Sequence, residues 1–261
     1  MPRVPGSTNA AVTFDLWQTL IFEKRGSASS NLRRRLRSEY LADVLAELGV
    51  TIDQEVIDRE LLELSGEITA GHDRGRDSRF VVWIERWIDR LDPGLADRIG
   101  PEGLNRVGRA IDRAFVDSPP HLLEGSLEIL DALATRGLKT ALISNTALTS
   151  PDAYREWFDQ IDLLERLDQI SLSNDLAVAK PTREIFERTL AALDVPPERT
   201  LHVGDNMHTD VAGAEAVGTS TVFVRGRTET QVPTDASPDY TVDSILELEP
   251  VVDKWLETLG G

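Results

Sequence analysis

Cysteine is absent from the 261 residues, which removes disulfide cross-links, a thiolate nucleophile and thiolate metal ligation from consideration. Positive charge is scarce: 28 lysines and arginines stand against 45 acidic residues, a formal charge of -17. Long-range repulsion from this balance argues against non-specific binding to nucleic acid or to an anionic membrane surface. It does not exclude a small anionic substrate, which responds to the local field of its pocket. No apolar run reaches membrane-spanning length, and the opening MPRVPGSTN is too short and too polar for a signal peptide. A cytoplasmic protein, monomer or homodimer, is therefore expected. No internal repeat or heptad run is present, and no His-His spacing supports zinc: His202 reads as packed inside a strand, His208 as touching substrate or lining a loop, and His72 with Asp73 as a weak pair.

What is present is organised around Ala10 to Leu20, AAVTFDLWQTL. Apolar and β-branched residues lead into Asp15, the pattern of a buried strand that delivers a carboxylate into a loop. Residues 1–9 read as a loose tail and Glu23 to Ser30 as a polar linker or hinge. From Asn31 the texture turns helical. Leu32, Leu36, Tyr40, Leu41, Val44, Leu45 and Leu48 recur near helical spacing, Ile52 to Ile68 repeats the pattern, and GHDRGRDS interrupts it. RFVVWIERWIDRL then places Phe80, Trp83, Ile84, Trp87 and Ile88 on one face, which reads as packing inside the helical unit. A fourth helix over Gly103 to Phe115 ends at DSPP, because proline disfavours continuation. Four helices with no strand between them predict an all-helical insertion at 25–118.

Strand-like and helical stretches alternate afterwards. Helices are expected at 126–135, 153–164, 182–193, 209–217 and 242–259, and strands at 138–143, 169–172, 200–203 and 220–224. The polar stretch 225–239 reads as a loop. Alternation of this kind predicts an α/β fold: a three-layer, Rossmann-like core with a parallel sheet, built from residues 1–24 and 119–261.

In such a sheet the C-terminal strand ends meet at one edge. Asp15, Ser144 with Asn145, and Asp205 all follow predicted strands, so they converge there. Asp15 is the candidate nucleophile. Asp205 and Asp210 flank a strand-to-helix turn opened by Gly204 and offer two carboxylates to an oxygen-seeking ion such as Mg²⁺. Ser144 and neighbouring N-H groups suit an anionic oxygen. Lys180, placed before Pro181, is a cation able to neutralise Asp15 and a developing oxyanion. The run Arg33, Arg34, Arg35 and Arg37 is a charged helical face and a candidate region for anion recognition.

The motifs FDLWQTL, LISN, AKP and HVGDNMHTDVAGAEAVG, taken in this order, resemble the haloacid dehalogenase superfamily across nearly the whole chain, with the inserted helical cap of its first subfamily type. The resemblance implies a phosphohydrolase that forms an aspartyl-phosphate on Asp15. It also implies Mg²⁺ held by Asp15, Asp205, Asp210 and the backbone carbonyl of Trp17, catalytic support from Ser144 and Lys180, and substrate contacts from Thr19, Asn145, Arg33 or Arg37. Thr19 would fix the loop by hydrogen bonding. Phosphatases of the family carry a second Asp at the place of Trp17, which serves as acid and base; indole has no such function. Gln18 stands where the family often has glycine. A metal-independent 2-haloacid dehalogenase is the alternative, since halide leaves without a proton, although GDxxxxD is intact here. A catalytically weak member that binds a ligand or partner is the third.

Overall fold

The computed structural model describes residues 9–24, 26–225 and 232–260. Residues 1–8 of the expected tail and part of the 225–239 loop lie outside them. At the centre of the molecule is β1 (Ala11–Phe14), four buried residues. Parallel strands flank it in the order β5 (Gln169–Leu172), β4 (Lys139–Ser144), β1, β6 (Thr200–Gly204), β7 (Ser220–Val224), β8 (Tyr240–Val242). β1 pairs on one side with β4, Phe14 opposite Leu142, and on the other with β6, Phe14 opposite Val203. Burial on both faces explains why these strands read as continuous apolar runs rather than as alternating ones.

Helices cover the sheet. α5 (Ser126–Thr135), α6 (Pro151–Gln160) and α10 (Leu248–Leu259) pack against a core that includes Phe14, Leu142, Trp157 and Trp255. α8 (Arg183–Leu193) packs on the other side, where Ile185 and Phe186 meet Ile143. Two short helices, α7 (Ser173–Leu176) and α9 (Gly213–Glu215), follow β5 and a π-helical turn at Met207–Ala212.

Between the small antiparallel strands β2 (Ile21–Phe22) and β3 (His121–Leu122) run four helices: α1 (Ala28–Glu47), α2 (Gln54–His72), α3 (Phe80–Leu91) and α4 (Leu95–Asp117). Ser27 caps α1 by accepting the Ser30 N-H. These helices own a separate apolar core that holds Trp83, Trp87, Leu61 and Ile111, to which Leu148 is contributed from beyond β4. Each fully buried leucine or isoleucine stabilises by about 1.5–3 kcal/mol relative to exposure, so this second core holds the four helices together.

Several expectations shift. Ser144 is the last residue of β4 rather than the first after it. α4 begins eight residues before Gly103 and crosses Pro101, with a break at Gly100. The helix expected from Val242 starts at Leu248, and the segment before it supplies edge strand β8. At the start of the polar stretch, Glu23 is buried and paired with Arg33. In α1 the inward positions near the start are Arg33 and Ser38, not Leu32 and Leu36, and the apolar stripe begins at Leu41.

Candidate active site

Asp15 leaves β1 with its own N-H donated to the Val203 carbonyl, 2.9 Å away, so the loop stays tied to β6 one residue past the strand. β6 ends at Gly204, where a Cβ would fall 2.3 Å from Cγ of Asp210; the missing side chain is what admits that carboxylate. The π-helical turn that carries Asp210 is organised by Asn206, whose Oδ1 accepts the His208 and Thr209 N-H groups at 2.9 and 3.1 Å. Asp210 Oδ2 accepts the Asn206 N-H at 3.0 Å. Carboxylate oxygens of Asp15, Asp205 and Asp210 lie within 4.8 Å of one another, and all three residues are buried.

Into this cluster comes Lys180, 1% exposed, its Nζ donating to Asp15 Oδ1 and to Asp210 Oδ1 at 2.6 Å each. Asn145 fixes the lysine's backbone: its Oδ1 accepts the Lys180 N-H at 2.8 Å, and its Nδ2 donates to the Lys180 carbonyl at 3.0 Å. Burial, the largest influence on Asp15, outweighs the nearby ammonium; with repulsion from Asp210 added, it raises the carboxyl to about 6. Burial works against Asp210 too, but Lys180 and then His202 overcome it and bring that carboxyl down to about 2. Lys180 loses from burial and gains more from its two acids, so it is held above its ordinary range. The imidazole of His202 sits between Thr13 Oγ1, 2.9 Å from Nδ1, and Asp210 Oδ1, 3.5 Å from Nε2. Burial lowers its basicity, so it behaves as a packed, neutral ring.

The other sequence candidates fall in distinct places. Ser144 is wholly buried, with Oγ 3.5 Å from the Asn145 carbonyl. Thr19 is buried and its hydroxyl has no hydrogen-bond partner, so the loop is not fixed by that side chain. It is fixed instead by backbone: Leu20 and Ile21 both donate to the Leu16 carbonyl, and Gln18 donates to Ile21. Gln18 takes the left-handed conformation, φ 66°, that glycine adopts without strain, and its Nε2 donates to the Glu23 carbonyl at 2.9 Å. Arg33 is committed to Glu23 and, at 2.8 Å, to the Ser118 carbonyl, and it packs over the Trp17 and Phe115 rings. Arg37 donates to Thr149 Oγ1 at 2.9 Å while its Nε stays unpartnered; burial, helped by Arg33, lowers it to about 10.

Trp17 and Asn145 form the sheet-side wall of a cavity of about 310 Å³, whose other walls come from α1 and α2, with Arg33, Arg34, Arg37, Ser65 and His72, and from Tyr154 on α6. The Tyr154 hydroxyl faces the Trp17 indole N-H, and burial raises it to about 12. Tyr154, Thr149 and Glu23 were not singled out by sequence. Tyr154 shares its segment with Trp157 and Phe158, and nothing in the spacing separates a pocket aromatic from core ones. His72 pairs with Asp77, not Asp73: Nε2 lies 3.0 Å from Asp77 Oδ2.

Comparison with known proteins gives this geometry a family. At 27% identity over 93% of this chain and 96% of the relative, the chain is similar to the glyceraldehyde 3-phosphate phosphatase of Methanopyrus kandleri. It is 28% identical to the ribulose-1,5-bisphosphate 5-phosphatase of Halopiger xanaduensis over 74% of this chain and 78% of that one. Among solved structures, a 2-haloacid dehalogenase from Pseudomonas syringae pv. Tomato superposes with TM-score 0.65 at 20% identity, covering 94% of this chain and 99% of that one. A HAD phosphatase from Thermococcus onnurineus gives 0.57 at 22%, covering 93% and 97%. The family model for haloacid dehalogenase-like hydrolases matches residues 10–218, and the chain belongs to that family of hydrolases.

Proposed function

We propose that the protein is a Mg²⁺-dependent phosphatase acting on a small phosphorylated metabolite through an aspartyl-phosphate on Asp15, with the helical unit of residues 25–118 serving as a cap. The observation that carries this reading is Lys180 clamped between Asp15 and Asp210, with Asp205 in the same cluster. A nucleophile for phosphorus must be anionic yet approach an anion, and this arrangement supplies compensation in fixed positions. An all-oxygen donor set of three carboxylates suits Mg²⁺, with the Trp17 carbonyl as a further ligand. Bound there, the ion would offset charge on the transferring phosphoryl group.

In the proposed step, Asp15 attacks phosphorus and the bond to the ester oxygen breaks. Lys180 stays protonated and stabilises the phosphoryl oxygens, while Asn145 keeps its backbone in place. Ser144 and Thr19 lie buried at the strand end and in the loop beside the cluster. A cavity of about 310 Å³ suits a metabolite of a few carbons, and Arg37, with an unsatisfied Nε, suits a second anionic group on it. The relatives named as phosphatases of sugar or triose phosphates point the same way.

Trp17 favours a second reading, the dehalogenase, because halide departure needs no proton. The deciding experiment measures phosphate release from a panel of three- to five-carbon phosphate esters by the wild type and Asp15→Asn, with Mg²⁺ and with chelator, and chloride release from 2-chloropropionate in parallel. Phosphate release that requires Mg²⁺ and vanishes in Asp15→Asn is the expected result. Chloride release indifferent to chelation would overturn it.

A further inference from the structure

With tryptophan at position 17, the loop after Asp15 contributes no side chain able to protonate a leaving alkoxide. The helical unit contains one. His72 closes α2 and lines the same cavity as Trp17 and Asn145. Its Nε2 lies 3.0 Å from Asp77 Oδ2. The Asp77 side chain is completely buried and held by two further donors: its Oδ1 accepts the Ser78 N-H and the Trp83 indole N-H, both at 2.6 Å. Three donors on one buried carboxylate fix it rigidly, and a carboxylate so held accepts. Nε2 therefore carries a proton, and Nδ1 is left as the exchangeable position. This is the oriented imidazole-carboxylate pair found wherever a histidine must work in a defined tautomer.

The segment that follows His72 is seated on the core beside Lys180. The Gly75 carbonyl accepts the Ala179 N-H at 3.2 Å and the Thr182 hydroxyl at 2.9 Å, one on each side of Lys180. Arg76 bridges to Val178. His208 Nε2 lies 3.0 Å from the Asp73 carbonyl, two residues before Asp210. A Cβ on Gly75 would sit 1.8 Å from Thr182 Oγ1, and its φ is +71°, so this contact tolerates no side chain. The segment that follows His72 is thus docked by backbone contacts on both sides of Lys180, whose Nζ donates to Asp15.

We infer that His72, oriented by Asp77, is the general acid and base of this enzyme, doing from the helical unit what Trp17 cannot do from the loop. The inference rests on the phosphatase reading. As Asp15 Oδ bonds to phosphorus and the ester P-O bond breaks, the departing oxygen takes the Nδ1 proton of the imidazolium, and alcohol and neutral His72 result. In the second half, water attacks the acyl phosphate and gives its proton to Nδ1. The P-O bond to Asp15 breaks, inorganic phosphate leaves, and the carboxylate and imidazolium are restored.

A residue that only staples the loop would slow all substrates alike, whereas loss of a general acid penalises poor leaving groups. The test compares ethyl, phenyl and 4-nitrophenyl phosphate in the wild type, His72→Gln and Asp77→Asn, each with Mg²⁺. His72→Gln is expected to lose about 100-fold or more in kcat on ethyl phosphate, with the loss shrinking steadily toward 4-nitrophenyl phosphate. Added imidazole should restore part of the ethyl phosphate activity to His72→Ala. Asp77, a positioning residue, should give the same leaving-group slope with a smaller loss. In the metal-free protein, nitrogen NMR should show the His72 ring as the Nε2-H tautomer, and this preference should fall in Asp77→Asn. An equal loss on all three esters, no loss, or an Nδ1-H tautomer would overturn the assignment. A wild type that releases phosphate neither from these three esters nor from the three- to five-carbon panel would overturn the phosphatase reading and the His72 role with it, an outcome visible before any variant is made.

Discussion

Asp15 occupies an expensive position. Its carboxyl is pushed up to about 6 by burial, with Lys180 only partly compensating, so the native state binds its proton more tightly than the unfolded chain does. A group raised in this way favours folding below its unfolded value near 3.8, and the contribution is lost as pH rises through 6. Asp15→Asn removes the ionised form and with it the cost. The metal-free variant should therefore melt higher than wild type at pH 7–8, by on the order of 1–3 kcal/mol, and the gain should disappear below pH 4; a scan of Tm against pH checks both ends. The residues of this cluster were legible in sequence because each sits at a strand end or in a dense motif. His72 was not legible as half of this pair, because its partner is five residues on, with Asp73 as a nearer candidate acid, and only the fold chooses Asp77.

At the scale of elements, α1 does two jobs with a four-residue spacing. Arg33 and Arg37 lie on one face, yet Arg33 is spent on Glu23 and the Ser118 carbonyl, the two chain segments that enter and leave the helical unit. It is a strut across that junction. Arg33→Met would leave Glu23 buried without its partner, and breaking such a pair costs about 3–5 kcal/mol. Replacing both residues, Arg33→Met with Glu23→Gln, should recover most of that loss; chemical denaturation of the two variants checks the difference. Helix α1 was visible as a helix from its periodicity, but which residues face inward was not, since an apolar stripe and an arginine stripe compete for the same inward face. The strands β2, β3 and β8 carry two or three residues each, too few for a period to register. The π-helical turn at 207–212 reads in sequence as the start of an ordinary helix.

The molecule as a whole has two apolar cores. One fills the sheet and its helices, and the other draws its buried residues from positions 41–111 with the addition of Leu148. Regions with separate cores open separately. Leu61→Ala, a truncation costing about 2–5 kcal/mol, should hasten hydrogen exchange across α1–α4 and leave β1, β4 and β6 nearly as protected as in wild type; exchange read by mass spectrometry distinguishes this from uniform loosening. The alternation of strands and helices made the sheet legible, and the strand-free stretch made the succession of four helices legible. The docking of the α2–α3 turn beside Lys180 was not, because it is made by backbone groups that any sequence carries. The central place of β1 also sets a timetable for synthesis. The strand bearing Asp15 emerges from the ribosome first, but its partners β4 and β6 begin at Lys139 and Thr200. At about 5–20 residues per second it waits roughly 10–40 s for its second neighbour. In that interval nearly all of the core of the four helices is already translated, whereas the sheet cannot close until β6 has emerged.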